Sequence, residues 1–164
     1  MTSGHEMCGE IHDWIINNIA QSSTILELGS GKGTKKLIDA GFKVHSIEHN
    51  KKWMNKYGSN YIYAPIKNGW YDINAIKKGI PKKYDLLLVD GPVWKNSKNI
   101  GRIHMVKYLD LFNIDCCMIF DDFHRNDVPE LVSKISEKIG RDFISYNGMS
   151  GHRRVMFAVF DKVE

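Results

Sequence analysis

The chain has 164 residues, of which 43% are hydrophobic and 26% charged, and it carries a net charge of +4. Those values fit one globular domain spanning 1–164, since domains run to about 150 residues, and they exclude collagen-like, disordered and disulfide-scaffold chains. The mild basic excess suits an anionic ligand but is too thin for a dedicated nucleic-acid binder, so no nucleic-acid partner is expected.

The chain opens on a polar segment without the apolar core of a signal peptide. No run approaches the roughly 18 apolar residues that span a membrane, so no membrane partner and a cytoplasmic location are expected. His5 lies in this segment, ahead of the first predicted helix. Ile11, Trp14, Ile15 and Ile19 then place one apolar stripe on that helix. The run 24–28 reads as a buried strand that breaks at a glycine turn and leads into a second helix. Further short apolar runs bounded by Gly, Pro, Asn or Asp predict strands at 43–47, 60–64, 84–89, 116–120, 142–146 and 155–160. Ile103, Val106, Leu109 and Leu111 predict a helix before the fifth strand. Val128, Leu131, Ile135 and Ile139 predict another after it, closed by Gly140. Cys116 and Cys117, with Cys8, make an odd count without metal spacing, as expected of structural thiols in a reducing compartment. The last two strands are joined by a loop holding Gly148 and Gly151, hence a hairpin. Strand–helix alternation of this kind predicts an α/β fold, a Rossmann-like three-layer sandwich. Its seven-stranded sheet would be mostly parallel, with an antiparallel C-terminal strand.

The segment Glu27-Leu28-Gly29-Ser30-Gly31-Lys32-Gly33-Thr34 is the most informative. Glycines at alternate positions let the chain turn sharply and bring backbone close to a ligand, in front of the free N–H groups of a helix. A dinucleotide fingerprint would need its third glycine where Thr34 stands. A phosphate-binding P-loop around Gly31-Lys32-Gly33-Thr34, the basis of a phosphotransferase alternative, would need a glycine where Leu26 stands. The pattern Glu27-x-Gly29-x-Gly31-x-Gly33 resembles the first motif of class I S-adenosylmethionine-dependent methyltransferases. The resemblance implies S-adenosylmethionine as cofactor. It implies that Glu27 contacts the methionine amino group and that the turn with Gly29, Ser30, Gly31 and Gly33 packs under methionine and ribose. Glu48, at the end of the second predicted strand and 19 residues after Gly29, is placed to accept hydrogen bonds from ribose hydroxyls. His49 beside it and Asp90 complete the expected cofactor contacts.

Ligands of open α/β sheets bind beyond the carboxyl ends of the strands. Asp90 follows Leu86-Leu87-Leu88-Val89, and Asp121-Asp122 follow Cys117-Met118-Ile119-Phe120. Adjacent carboxylates there repel unless a charge offsets them, and a hard cation would do so. Asp90, Asp121 and Asp122 are therefore expected to hold Mg²⁺ or Mn²⁺. This pattern resembles the metal-dependent O-methyltransferases, in which the metal lowers the pKa of a substrate hydroxyl. That makes Asp90 and Asp121 catalytic candidates. Those enzymes carry a Lys or His base where this chain has Val93, which leaves His124 or Lys95 as base. Asp90-Gly91-Pro92, Gly101-Arg102 and Asp121-Asp122-Phe123-His124-Arg125 are also similar to small carbohydrate methyltransferases of the glucuronoxylan 4-O-methyltransferase type. That resemblance implies a small-molecule or sugar acceptor, held by Arg102 and Arg125 through an acidic or phosphate group. Trp94 is a candidate wall of the acceptor pocket. The absent base leaves a non-catalytic cofactor-binding subunit as an alternative. So short a chain has few loops for an acceptor, which points to a second copy or a partner subunit.

Overall fold

The computed structural model describes residues 7–164. The first helix, α1 (Gly9–Asn18), buries Ile11 and Ile15. It is followed by β1 (Thr24–Leu28), α2 (Lys32–Asp39), β2 (Lys43–Glu48) and β3 (Asn60–Tyr63). A short antiparallel ribbon comes next, β4 (Ile66–Lys67) and β5 (Trp70–Tyr71), then α3 (Ile73–Gly79) and β6 (Leu86–Val89). Two 3₁₀ segments, Asn96–Lys98 and Arg102–Leu111, lead to β7 (Cys117–Phe120). The chain ends with α4 (Val128–Ile139), β8 (Ile144–Ser150) and β9 (Arg153–Phe160).

Seven strands form one sheet in the order β3-β2-β1-β6-β7-β9-β8. The pairs β1–β2, β2–β3, β1–β6 and β6–β7 are parallel, and β9 runs antiparallel to both β7 and β8. This is the expected three-layer sandwich with an antiparallel C-terminal strand. β6 and β7 are buried at every position, as their uninterrupted apolar runs require of central parallel strands covered on both faces. Alternation along the strands divides the core. Leu26, Leu28, Leu87, Val89, Met118 and Phe120 pack with α3, the Arg102–Leu111 segment and α4. Ile25, Leu86, Leu88, Cys117 and Ile119 pack with α1 and α2. Each such fully buried Leu or Ile contributes about 2 kcal/mol of transfer free energy.

Three expectations are corrected. The predicted helix around 103–111 is 3₁₀, with a non-helical Tyr108 in its middle. The predicted 147–153 loop is mostly strand, because the β8–β9 ladder continues through Gly148↔Val155 to Ser150↔Arg153. The β4–β5 ribbon and α3, between the third and fourth predicted strands, carry no clear apolar period and were not anticipated. No helix among the described residues is long and apolar enough to cross a membrane.

Candidate functional site

The chain starts at β1, builds outward to β3, then returns to β6 on the other side of β1. The switch point therefore lies between β1 and β6, where an open α/β sheet has its ligand crevice. Gly29 leaves β1 with φ +93°, a conformation that disfavours any Cβ. A Cβ there would also lie 3.2 Å from the Gly91 nitrogen, so the backbones of the two loops touch. A Cβ on Gly91 would run into the Tyr71 hydroxyl. The expected glycine turn is thus present, and its partner glycine follows Asp90.

The turn is anchored from below. Thr34 Oγ1 donates to the Glu27 carboxylate at 3.0 and 2.9 Å and accepts the Gly31 N–H at 2.9 Å. Ser46 Oγ donates to the same carboxylate at 2.7 Å. Glu27 is only 4% exposed, and burial, the largest influence, pushes its pKa up to about 7. Glu27 therefore supports the turn through Thr34 and Ser46. Gly33 also faces inward, where a Cβ would meet Met7 at 3.1 Å, so it admits the segment before α1.

Glu48 is buried at the end of β2. One of its oxygens accepts the Ser30 N–H at 3.0 Å and the other the Asn50 N–H at 2.6 Å. A carboxylate oxygen takes two hydrogen bonds, so each retains capacity for a ligand hydroxyl. His49 places Nδ1 3.2 Å from Glu48 and packs edge-on against Tyr71, centroids 6.0 Å apart. Among the described residues, the Tyr71 hydroxyl is buried without a hydrogen-bond partner, and His49 Nδ1 has only its contact with Glu48. Orphaned polar atoms of this kind cost about 1–3 kcal/mol each unless something satisfies them. Beside a glycine turn they fit a polar ligand such as S-adenosylmethionine. Tyr71 was invisible in the sequence because it reaches the crevice from the short ribbon and not from a strand end.

The carboxylates beyond β6 and β7 are arranged otherwise than expected. Arg102, 6% exposed, folds in among them. Its Nη1 donates to the Asp121 carbonyl at 2.9 Å. Its Nη2 donates to the Asp90 carbonyl and lies 3.4 Å from Asp90 Oδ1 and 3.2 Å from Asp122 Oδ2. Arg125 adds a 2.7 Å contact to Asp122 Oδ2. Asp121 accepts the Asp122 N–H at 2.7 Å. Among the described residues no group of three or more His, Cys, Asp or Glu side chains is placed to hold a metal ion. The expected Mg²⁺ or Mn²⁺ site of Asp90, Asp121 and Asp122 is therefore corrected: guanidinium groups supply the offsetting charge. Arg102, expected to hold an acceptor, is instead buried against the three aspartates. Burial and then the Asp121 charge raise the pKa of Asp90 well above the ordinary range, against Arg102. Its side chain keeps 34% of its surface open to the crevice, which tempers that rise. Burial first, then Asp122, pushes Asp121 up to about 6.

The two candidate bases are held differently. His124 Nδ1 accepts the Met156 N–H at 3.0 Å, so its lone pair ties the 121–127 turn to β9. Lys95 lies in the exposed 92–101 loop, where Trp94 is 43% exposed and packs toward Gly101. His5 lies outside the described residues. The link from β1 to α2 is only residues 29–31, too short to wrap a phosphate as a P-loop does.

No family model matches the chain, and no curated protein matches it in sequence. Solved structures do match in shape. A putative O-methyltransferase from Klebsiella pneumoniae superposes with a TM-score of 0.68 at 11% identity, covering 99% of this chain and 84% of that one. An O-methyltransferase from Bacillus cereus in complex with SAH gives 0.64 at 14% identity, covering 98% and 84%. The O-methyltransferase TomG from Streptomyces achromogenes, in complex with SAM, gives 0.62 at 14% identity, covering 94% and 78%. Strand order, switch point and superposition together assign this chain the Rossmann-like fold of S-adenosylmethionine-dependent methyltransferases.

Proposed function

We propose that the protein is an S-adenosylmethionine-dependent methyltransferase acting on an oxygen of a small-molecule or sugar acceptor. The observation that supports this most is the contact of Gly29 with Gly91 at the switch point, flanked by buried Glu48. The turn of Gly29, Ser30 and Gly31, with Glu48 and His49, would hold the cofactor. When bound, the cofactor supplies a methyl group already activated on a sulfonium, so the protein mainly has to position the acceptor. Glu48 orients the ribose while its two accepted N–H bonds hold its own carboxylate rigid. Asp90 takes the proton of the acceptor hydroxyl. Its ionised form, kept in place by Arg102, is the acceptor of that proton.

Isothermal titration with S-adenosylhomocysteine tests the reading. Wild type is expected to bind, and Glu48→Ala to bind roughly tenfold more weakly, a difference of about 1.4 kcal/mol. Absence of binding by wild type, or equal binding by the variant, sinks it. Because Arg102 occupies the centre of the carboxylate cluster, methyl transfer in EDTA is expected to match that in Mn²⁺. A loss on chelation that Mn²⁺ restores would show otherwise.

A further inference from the structure

A cavity of about 460 Å³ opens between the β4–β5 ribbon and the 92–101 loop, with His49 at one side and Val93 at another. It borders the crevice, since His49 adjoins Glu48 and Val93 follows Asp90 by three residues. Its walls are built. The Gly101 N–H donates to the Gly69 carbonyl at 3.3 Å, tying loop to ribbon. Lys95 and Ile100 exchange backbone hydrogen bonds of 2.9 and 3.1 Å, closing the loop on itself. His104 Nε2 lies 3.0 Å from the Asn99 carbonyl and steadies its tip.

The polar lining has one sign. Lys95, Lys98, His49 and Asn68 line the cavity and no carboxylate does. Lys95 caps the 3₁₀ turn Asn96–Lys98. Lys95, whose own backbone is extended, and Lys98 thus line the one cavity from the two ends of the turn. Neither has an ion-pair partner among the described residues. Two cations lining one cavity repel until an anion lies between them. A phosphate monoester, with a charge of about −1.5 to −2, neutralises both, whereas a carboxylate leaves one uncompensated.

We infer that this cavity binds the phosphate group of a phosphorylated small molecule. Naming that molecule the methyl acceptor rests on the proposed methyl transfer; the phosphate site itself does not. The position suits the role, because an acceptor held by its phosphate between the ribbon and the loop extends past Val93 toward Asp90.

Nitrogen-15 NMR titrations test the site, with glucose 6-phosphate, glucuronate and glucose as probes, in the absence and presence of S-adenosylhomocysteine. Glucose 6-phosphate is expected to shift the amides of residues 66–69 and 95–100. Glucuronate is expected to bind roughly tenfold more weakly and glucose not at all. The double variant Lys95→Ala/Lys98→Ala removes only exposed side chains and is expected to lose roughly tenfold in glucose 6-phosphate affinity while binding S-adenosylhomocysteine as wild type does. Equal affinity of wild type and double variant for glucose 6-phosphate overturns the inference, as does glucuronate binding as tightly. Should wild type take glucose 6-phosphate at these residues but not S-adenosylhomocysteine, the phosphate site stands and the methyltransferase reading falls.

Discussion

Arg102→Met is expected to lower the unfolding free energy by about 3–5 kcal/mol near neutral pH, the range seen when one partner of a buried charge cluster is removed. Arg102 is 7% exposed at its side chain and its guanidinium spans Asp90, the Asp121 carbonyl and Asp122. Methionine keeps most of the stem but leaves those carboxylates with only Arg125, which is 44% exposed and contacts Asp122 alone. The sign of the pH effect follows. Arg102 lowers the pKa of both Asp90 and Asp121, so its removal makes the folded variant a stronger proton acceptor than wild type. Protonation then relieves the repulsion, and the deficit is expected to shrink at about pH 5 relative to about pH 7.5. Arg102→Lys restores the charge but not the fork that reaches three groups, and is expected to fall between. Urea unfolding of the three proteins at both pH values reads this directly. A loss below about 1 kcal/mol, the level of an exposed ion pair, would mean that the cluster is balanced by solvent instead.

The same residue marks where sequence reasoning stops. Leu86–Val89 and Cys117–Phe120 were legible because a buried parallel strand needs an unbroken apolar run with a turn residue behind it, and Thr24–Leu28 and Lys43–Glu48 because short stretches rich in β-branched residues end at a turn. The Gly29 turn was legible because few residues tolerate its φ, and Glu48 because its place at a strand end is set by the strand. The three aspartates were correctly placed at strand ends, yet the identity of their counter-charge was not readable. It depends on a 3₁₀ segment folding back so that Arg102, 20 residues before Asp122, enters from another layer. The apolar spacing of Ile103, Val106 and Leu109 suggested an ordinary helix with Arg102 at its start, in solvent. Tyr71 and the lysine-lined cavity share this origin. Both depend on how two irregular segments pack together, and neither segment has a period.

The stability of the protein is also expected to fall as the pH rises from about 5 to about 7.5, with Glu27, Asp90 and Asp121 all contributing. Glu27 sits on β1, between Leu26 and Leu28 in sequence, with a neighbouring strand on either side. Hydrogen bonds from Thr34 and Ser46 favour its charged form, but burial outweighs them and nearby Glu48 adds to the cost. The pKa moves from 4.5 to about 7. The folded state therefore keeps a proton that the unfolded chain releases, and stability rises with pH only where the unfolded state holds more protons. Here the reverse applies, so the contribution is complete below the unfolded value and lost as pH passes through the folded one. A rise of that size corresponds to about 3 kcal/mol. Asp121, moved from 3.8 to about 6 by burial and by Asp122, acts in the same direction. Glu10 and Asp72, both half-buried, are lowered by hydrogen bonds and act in the opposite direction. Glu27→Gln removes the ionisable group while keeping an oxygen for Thr34 or Ser46. The variant is expected to show a shallower fall of the urea midpoint over the window, the remaining slope being the share of Asp90 and Asp121. A wild type that gains stability over the same range, or a Glu27→Gln variant that keeps the full slope, would show that the turn rests on an ionised Glu27 at every pH.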